Sequence, residues 1–325
     1  MDILISIFFI IIGFVLLIKG ADILVDGSSN IAKKFHIPEI VIGLTIVSVG
    51  TSLPELLVSL NSRLKGYVDM SIGNVVGSSI CNLLLILGLS ATISSLTLKK
   101  ETIYVEIPIC FFLTIIFGII GNTGGIIDRK EAIILLILFL AFILYTIFMG
   151  IKGEKFDEEN NEEITKNDSS ENDKIESVFK SIIKIVIGIV GLKFGGDFIV
   201  DHATNIAEIF GISEKIISLT IIAIGTSLPE LVTSVVAAIK GKSDISIGNI
   251  LGSNIFNMSF IIGTTALIKP ITYNIAYNMD LLVLLIASFV LFLFQFIPPK
   301  NKMSRANGII YLLLYGAYMT KLFIG

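Results

Sequence analysis

Long apolar runs alternate with short polar breaks along almost the whole chain. They lie at about 3–24, 38–62, 70–97, 103–121 and 128–150, and again at about 178–200, 214–239, 245–268, 276–298 and 306–324. A helix that crosses a bilayer needs about 20 mostly apolar residues. The pattern therefore predicts an all-α polytopic membrane protein of ten transmembrane helices. Four of the runs, the second, third, seventh and eighth, carry Gly, Ser, Thr, Asn or Pro in mid-run, and helices 2 and 7 are expected to be broken at the core. Between the fifth and sixth runs lies a polar stretch, 151–177, with ten acidic residues against four lysines and no EF-hand spacing. It is expected to be a solvated linker. The chain thus divides into a five-helix unit over 1–150, the acidic linker 151–177, and a second five-helix unit over 178–325.

Composition narrows the class further. Of 325 residues, 54% are hydrophobic and 16% charged, and the mean hydropathy is +0.90. Soluble domains carry about 25% charged residues, so a soluble enzyme and a disordered protein are both excluded. A net charge of −3 leaves no basic excess for nucleic acid. Cys81 and Cys110 lie inside apolar runs, which argues against a disulfide framework or a CxxC metal site. His36 and His202 sit at the edges of apolar segments and give a histidine metal site little to work with. The first run lacks the basic leader and small-residue cleavage site of a signal peptide and is expected to stay as the first span. Lysine and arginine favour one set of loops by 13 to 7. By the positive-inside rule, both termini are expected outside the cell membrane and the linker 151–177 in the cytoplasm.

The strongest pattern is a duplication. Residues 50–82 align without gaps on 225–257 at a constant offset of 175, with 19 of 33 positions identical. GTSLPEL at 50–56 recurs at 225–231, and SIGN at 71–74 recurs at 246–249. Weaker identity upstream pairs Gly20, Asp22 and Asp26 with Gly195, Asp197 and Asp201. Five spans per copy is an odd number, so the second copy would enter the membrane from the opposite side. Such inverted repeats place ion sites near the midplane, at interrupted helices in corresponding positions.

The repeated residues point to hard-cation chemistry. Glu55 and Glu230 lie well inside apolar spans, where a carboxylate costs about 2.5–3.5 kcal/mol on insertion scales. Neither motif has a nearby lysine or arginine, so a bound cation is the simplest compensating charge. Pro54 and Pro229 deprive the carbonyls of Gly50 and Gly225 of their helical partners. Local unwinding would free carbonyls such as those of Ser48 and Ala223 to act as ligands. Thr51, Glu55 and Ser59 are spaced to share one helix face, as are Thr226, Glu230 and Ser234. Ser71, Asn74, Ser78 and Asn82 form a polar stripe, matched by Ser246, Asn249, Ser253 and Asn257. Gly73 with Gly77, and Gly248 with Gly252, form GxxxG pairs that allow close helix approach. The set is all oxygen, which favours Na⁺ or Ca²⁺ over soft metals. Two carboxylates balance one Ca²⁺, which takes about six to eight oxygens.

GTSLPE with SIGNVVGSSICN, and GTSLPE with SIGNILGSNIFN, resemble the two α-repeats of the cation/calcium exchanger superfamily, specifically its prokaryotic sodium/calcium exchanger branch. The resemblance implies a transporter rather than an enzyme, with no cofactor. It implies a secondary antiporter that exchanges about three Na⁺ for each Ca²⁺ by alternating access. The ions would occupy four central subsites, and the first and sixth helices would slide. By motif position, Glu55 and Glu230 become the main shared ligands. Thr51 and Thr226 join them around calcium, and Ser52, Ser227, Ser78 and Ser253 around sodium. Asn82 and Asn257 fall near the middle, and Ser48 and Ala223 offer carbonyls. Asp22 and Asp197 are read as interfacial polar residues rather than ligands. Potassium-dependent relatives, and some prokaryotic members, carry Asp where this chain has Asn257; with a third carboxylate absent, exchange here is expected to be K⁺-independent. The partners expected are Na⁺, Ca²⁺ and the bilayer, with the chain working as a monomer. The rivals are a Ca²⁺/H⁺ antiporter using the same two glutamates and a passive cation channel.

Overall fold

Backbone inside lipid has to satisfy its N–H and C=O groups within its own segment, and the apolar runs accordingly fold as helices. The computed structural model describes residues 3–65, 68–164, 177–211 and 223–324. Helical segments run over Ile3–Lys34, Glu39–Thr51, Leu53–Lys65, 68–93, Thr102–Gly124, Arg129–Ile164, Val178–Ile209, Ala223–Gly225, Leu228–Ile239, Ser243–Ile268, Tyr277–Phe294 and Arg305–Ile324. Among the described residues, six helices are each long and apolar enough to cross a bilayer, and seven if the pair Glu39–Thr51 and Leu53–Leu64, bent by 44°, counts as one. The expected seventh span is only partly visible, because 212–222 lie outside the described residues. Val178–Ile209 carries Lys180, Lys184, Lys193, Asp197, Asp201 and Glu208, so it is long enough but less apolar.

Three features differ from the sequence pattern. The helix begun at Arg129 continues to Ile164, so the acidic stretch expected as linker starts as helix. Its Glu and Lys residues are good helix formers; 165–176 lie outside the described residues. Secondly, two-residue ribbons cap the bundle. β1 (Leu96–Thr97) pairs with β4 (Lys302–Met303), and β2 (Ile126–Ile127) with β3 (Ile271–Thr272), both antiparallel. Each ribbon joins one half of the chain to the other. Thirdly, π-helical turns interrupt the helices at Gly43–Val47, Cys81–Ile86, Thr102–Glu106 and Phe256–Ile261. The turns at 81–86 and 256–261 are 175 residues apart, the offset of the duplication. π turns are rare and concentrate at functional sites.

The buried apolar side chains fall into two clusters. The larger one is built mainly from 68–93, Thr102–Gly124, Ser243–Ile268 and Tyr277–Phe294. The smaller one joins Ile3–Lys34 to Val178–Ile209. These two long helices meet along glycines seven residues apart. A β-carbon at Gly13 would stand 2.8 Å from the Gly195 carbonyl, and one at Gly20 would stand 2.9 Å from that of Gly188. As numbering rises along one helix it falls along the other, so the pair runs antiparallel.

Candidate functional site

Both motif helices break two residues before their prolines. Ser52 (φ −85, ψ 8) and Ser227 (φ −91, ψ 4) leave the helical region, and Leu53 and Leu228 restart it. Pro54 and Pro229 then sit in the first turn of the new helix, where a missing N–H costs nothing. Glu55 and Glu230 fall in the same first turn, where the helix dipole favours a negative charge. The break corrects the expectation of one continuous face. Thr51 belongs to the preceding segment and donates to Asn249 Oδ1 at 3.0 Å, across the halves. The Ser48 carbonyl lies inside the short helix Ser48–Thr51 and accepts from Ser52 N at 3.0 Å and Thr51 Oγ1 at 3.3 Å. Ala223 opens the helix Ala223–Gly225.

Ser-x-x-Glu at a helix start is the sequence of a capping box. Here the serines bond elsewhere. Ser52 Oγ donates to Glu230 Oε1 at 2.9 Å and lies 2.9 Å from Ser253 Oγ. Ser227 Oγ donates to Glu55 Oε1 at 3.4 Å and lies 3.3 Å from Ser78 Oγ. Each serine thus serves the carboxylate of the other half, and the two sets are related by the 175 offset. Glu55 and Glu230 are each 1% exposed. The second carboxylate oxygen of each, Oε2, is buried without a hydrogen-bond partner among the described residues. The Oδ1 atoms of Asn82 and Asn257 are in the same condition. Unpaired buried oxygens of this kind are costly, and four of them at two pairs of equivalent positions form a donor set suited to a hard cation. Among the described residues no three His, Cys, Asp or Glu side chains gather, so hydroxyl and amide oxygens have to complete any coordination shell.

The polar stripes divide into two tasks. Asn74 Nδ2 donates to Glu55 O at 3.2 Å and Ser59 Oγ at 3.1 Å; Asn249 Nδ2 donates to Glu230 O at 3.3 Å and Ser234 Oγ at 2.9 Å. These residues brace the backbone that carries each glutamate. Ser78, Ser253, Asn82 and Asn257 face the other half or remain unpaired. Thr226 is half-buried in the break beside Ser227 and has a partner. Asp22 pairs with Lys240 at 2.6 Å and Asp197 with Lys193 at 2.6 Å, outside this network. The GxxxG pairs behave differently. Gly248 packs on Gly43 and Gly252 on the Leu44 carbonyl, whereas Gly73 has the Tyr277 ring as its nearest neighbour and Gly77 has no neighbour within 4 Å among the described residues. The counterpart of 43–47 for the first copy is 218–222, outside the described residues.

Two residues escaped the sequence pattern. Asn254 accepts from Asn82 Nδ2 at 3.0 Å and donates to the Ser79 carbonyl at 3.2 Å. It is one of the 14 aligned positions where the repeats differ, Ser79 being its counterpart, and scoring identities passes over it. Glu106 is fully buried in the Thr102–Glu106 turn and accepts from Tyr145 OH at 2.8 Å. A carboxylate inside an apolar run, the signal that singled out Glu55, marks it too.

The family model described as "Sodium/calcium exchanger protein" matches residues 5–148 and 180–324. The chain is 35% identical to the "Inner membrane protein YrbG" of Escherichia coli (strain K12), over 86% of each chain. It is 30% identical to the "Sodium/calcium exchanger MaX1" of Methanosarcina acetivorans, over 97% of each. A solved structure of the sodium-calcium exchanger NCX_Mj superposes with a TM-score of 0.84 at 33% identity, covering 99% of this chain and 100% of that one. The matched residues take in both motif copies and the helices around them, and the chain belongs to the sodium/calcium exchanger protein family.

Proposed function

We propose that the chain is an antiporter that exchanges Na⁺ for Ca²⁺ by alternating access, with Glu55 and Glu230 as the shared ligands. The observation that carries this reading is the unpaired Oε2 on each of two fully buried carboxylates, held in equivalent places by serines of the opposite half. Thr51, Thr226, Ser52, Ser227, Ser78, Ser253, Asn82 and Asn257, with the carbonyls of Ser48 and Ala223, complete the proposed set. Either ion offsets the buried charge and the empty site leaves it exposed to apolar surroundings, which favours obligatory exchange over leak.

Ten spans in two inverted halves, 1–150 and 178–325, fit the antiparallel Ile3–Lys34 and Val178–Ile209 pair and the ribbons that join the halves. The pair packs through glycines as a unit, which suits it to slide against the remaining helices. Every proposed ligand comes from one chain, so a monomer suffices. With Asn at both 82 and 257 the site holds two carboxylates, and exchange is K⁺-independent. About three Na⁺ per Ca²⁺ would move one net charge per cycle and make transport respond to voltage by about 2.3 kcal/mol per 100 mV. The termini are placed outside and 151–177 in the cytoplasm by the lysine and arginine bias.

The test is ⁴⁵Ca²⁺ uptake into proteoliposomes at clamped pH with an outward Na⁺ gradient. Uptake that needs internal Na⁺ and proceeds without K⁺ is expected. Uptake driven by a pH gradient alone would replace this reading by Ca²⁺/H⁺ exchange, and uptake with no counter-ion by a channel.

A further inference from the structure

Asn82 and Asn257 occupy equivalent positions in the two π turns, yet their side chains are held differently. Asn82 Nδ2 donates to Asn254 Oδ1 at 3.0 Å, and its own Oδ1 is left unpaired. Among the described residues, neither side-chain atom of Asn257 has a hydrogen-bond partner. The difference traces to Ser79 and Asn254, which face each other across the two halves. In a symmetric molecule Ser79 would hold Asn257 as Asn254 holds Asn82. Instead Ser79 Oγ donates back to the Val75 carbonyl of its own helix at 2.8 Å, and a serine is too short to replace an amide.

The direction of these bonds follows from chemistry. A backbone carbonyl only accepts, so the atom Asn254 turns toward the Ser79 carbonyl has to be its amide nitrogen. Its Oδ1 therefore faces Asn82, and Asn82 has to answer with its own nitrogen. One backbone carbonyl thus fixes both amides in sequence and leaves Asn82 Oδ1 as the free atom, an oxygen a cation can use. No such chain fixes Asn257.

We infer that Asn254 is a positioning residue that locks Asn82 as an oxygen ligand, while Asn257 is free to turn, so the two halves present unequal amide ligands to the ions. The inference rests on the proposed cation site and adds an asymmetry to it. Groups that orient a metal ligand from behind typically matter by about 10- to 100-fold in affinity.

The experiment measures half-saturating Ca²⁺ in ⁴⁵Ca²⁺ uptake, together with the Ca²⁺-induced rise in melting temperature of the purified protein. Asn82→Ala and Asn254→Ser are each expected to raise the half-saturating concentration about tenfold, and the double variant no further than either alone. Asn257→Ala is expected to cost several-fold less than Asn82→Ala in the wild-type background. Asn254→Ser inserts the residue that the first repeat carries at the equivalent position. The comparison of Asn82→Ala with Asn257→Ala leaves Asn254 untouched and decides the matter even if Asn254→Ser fails to fold. Independent, multiplying effects of Asn82→Ala and Asn254→Ser would overturn the inference. Equal costs for the Asn82→Ala and Asn257→Ala variants would do so as well. An unaffected Asn82→Ala with an inactive Glu55→Gln overturns the inference and spares the site. An unaffected Glu55→Gln removes the site reading itself.

Discussion

The two copies of the motif agree bond for bond around the glutamates and part company one helical turn away. Ser52 and Ser227, Asn74 and Asn249, and the unpaired Oε2 atoms of Glu55 and Glu230 are matched at the same offset. Beyond them, Ser71 donates to the Ser59 carbonyl at 3.0 Å while Ser246 Oγ is buried without a partner among the described residues. Asn254 replaces Ser79, and Lys240 reaches into the opposite half while Asp197 is satisfied within its own helix. The matched bonds all surround the two buried glutamates, which the proposed exchange would use alike. The unmatched bonds lie where the halves meet different neighbours. The comparison is broken most directly at the glutamates. Glu55→Gln and Glu230→Gln keep shape and remove one charge, and both are expected to reduce Na⁺-driven Ca²⁺ uptake to background in folded protein. Loss in only one of them would mean that the equivalent positions do not share the load.

The cross-half serines sharpen the comparison. A hydrogen bond to a charged group contributes about 1.5–3 kcal/mol. Ser52 approaches Glu230 at 2.9 Å, but Ser227 stands 3.4 Å from Glu55. Ser52→Ala is therefore expected to raise half-saturating Ca²⁺ by about tenfold, and Ser227→Ala by clearly less. The check is the same uptake assay with melting temperatures as control. A larger effect from Ser227→Ala would reverse the ranking that the distances give.

Much of this site is legible in the chain, because duplication writes it twice. Glu55, Glu230, the prolines and the Ser/Asn stripes stand out against an apolar background without any fold. Their partners do not, and the reasons are physical. Ser52 followed three residues later by Glu55 reads as a local capping box, and only the approach of the other half diverts the serine to Glu230. Spacing places Thr51, Glu55 and Ser59 on one face, but a break at Ser52 turns Thr51 toward Asn249. Asn82 and Asn257 each stand at the start of a π turn, Cys81–Ile86 and Phe256–Ile261, which the α-helical period does not foresee. Asn254 is invisible to a search for identities because its importance lies in a difference. The overrun of the Arg129–Ile164 helix into the acidic stretch is hidden as well, since hydropathy marks where lipid ends rather than where hydrogen bonding ends.

Close packing gives a smaller and purely structural contrast. A β-carbon at Gly252 would stand 2.6 Å from the Leu44 carbonyl, backbone that cannot step aside, while Gly77 has open space among the described residues. Overpacking typically costs about 1–3 kcal/mol. Gly252→Ala is expected to lower the melting temperature by several degrees, and Gly77→Ala to leave it unchanged. Equal destabilisation would show that the first GxxxG also seals a close contact.

The smallest expected effect concerns the tie between the helix pair and the rest. Lys240, in the turn after Ile239, contacts Asp22 and Asp26 at 2.6 Å each and also donates to the Asp22 carbonyl at 3.2 Å. Burial on its own would lower its pKa, but the bonds to the two aspartates outweigh it and hold the ammonium above the ordinary lysine value. A raised pKa means that the charged form is favoured by folding. The stabilisation is complete below the ordinary lysine value of about 10.4 and fades as pH rises through the raised one. Partly exposed pairs contribute about 0–1 kcal/mol, so Lys240→Met should lower the melting temperature slightly at pH 7 to 9. The gap between variant and wild type should then close at strongly alkaline pH, where the wild-type lysine is neutral too. A gap that persists undiminished there would assign the effect to packing of the lysine stem. The tie between Ile3–Lys34 and the opposite half would then be apolar rather than ionic.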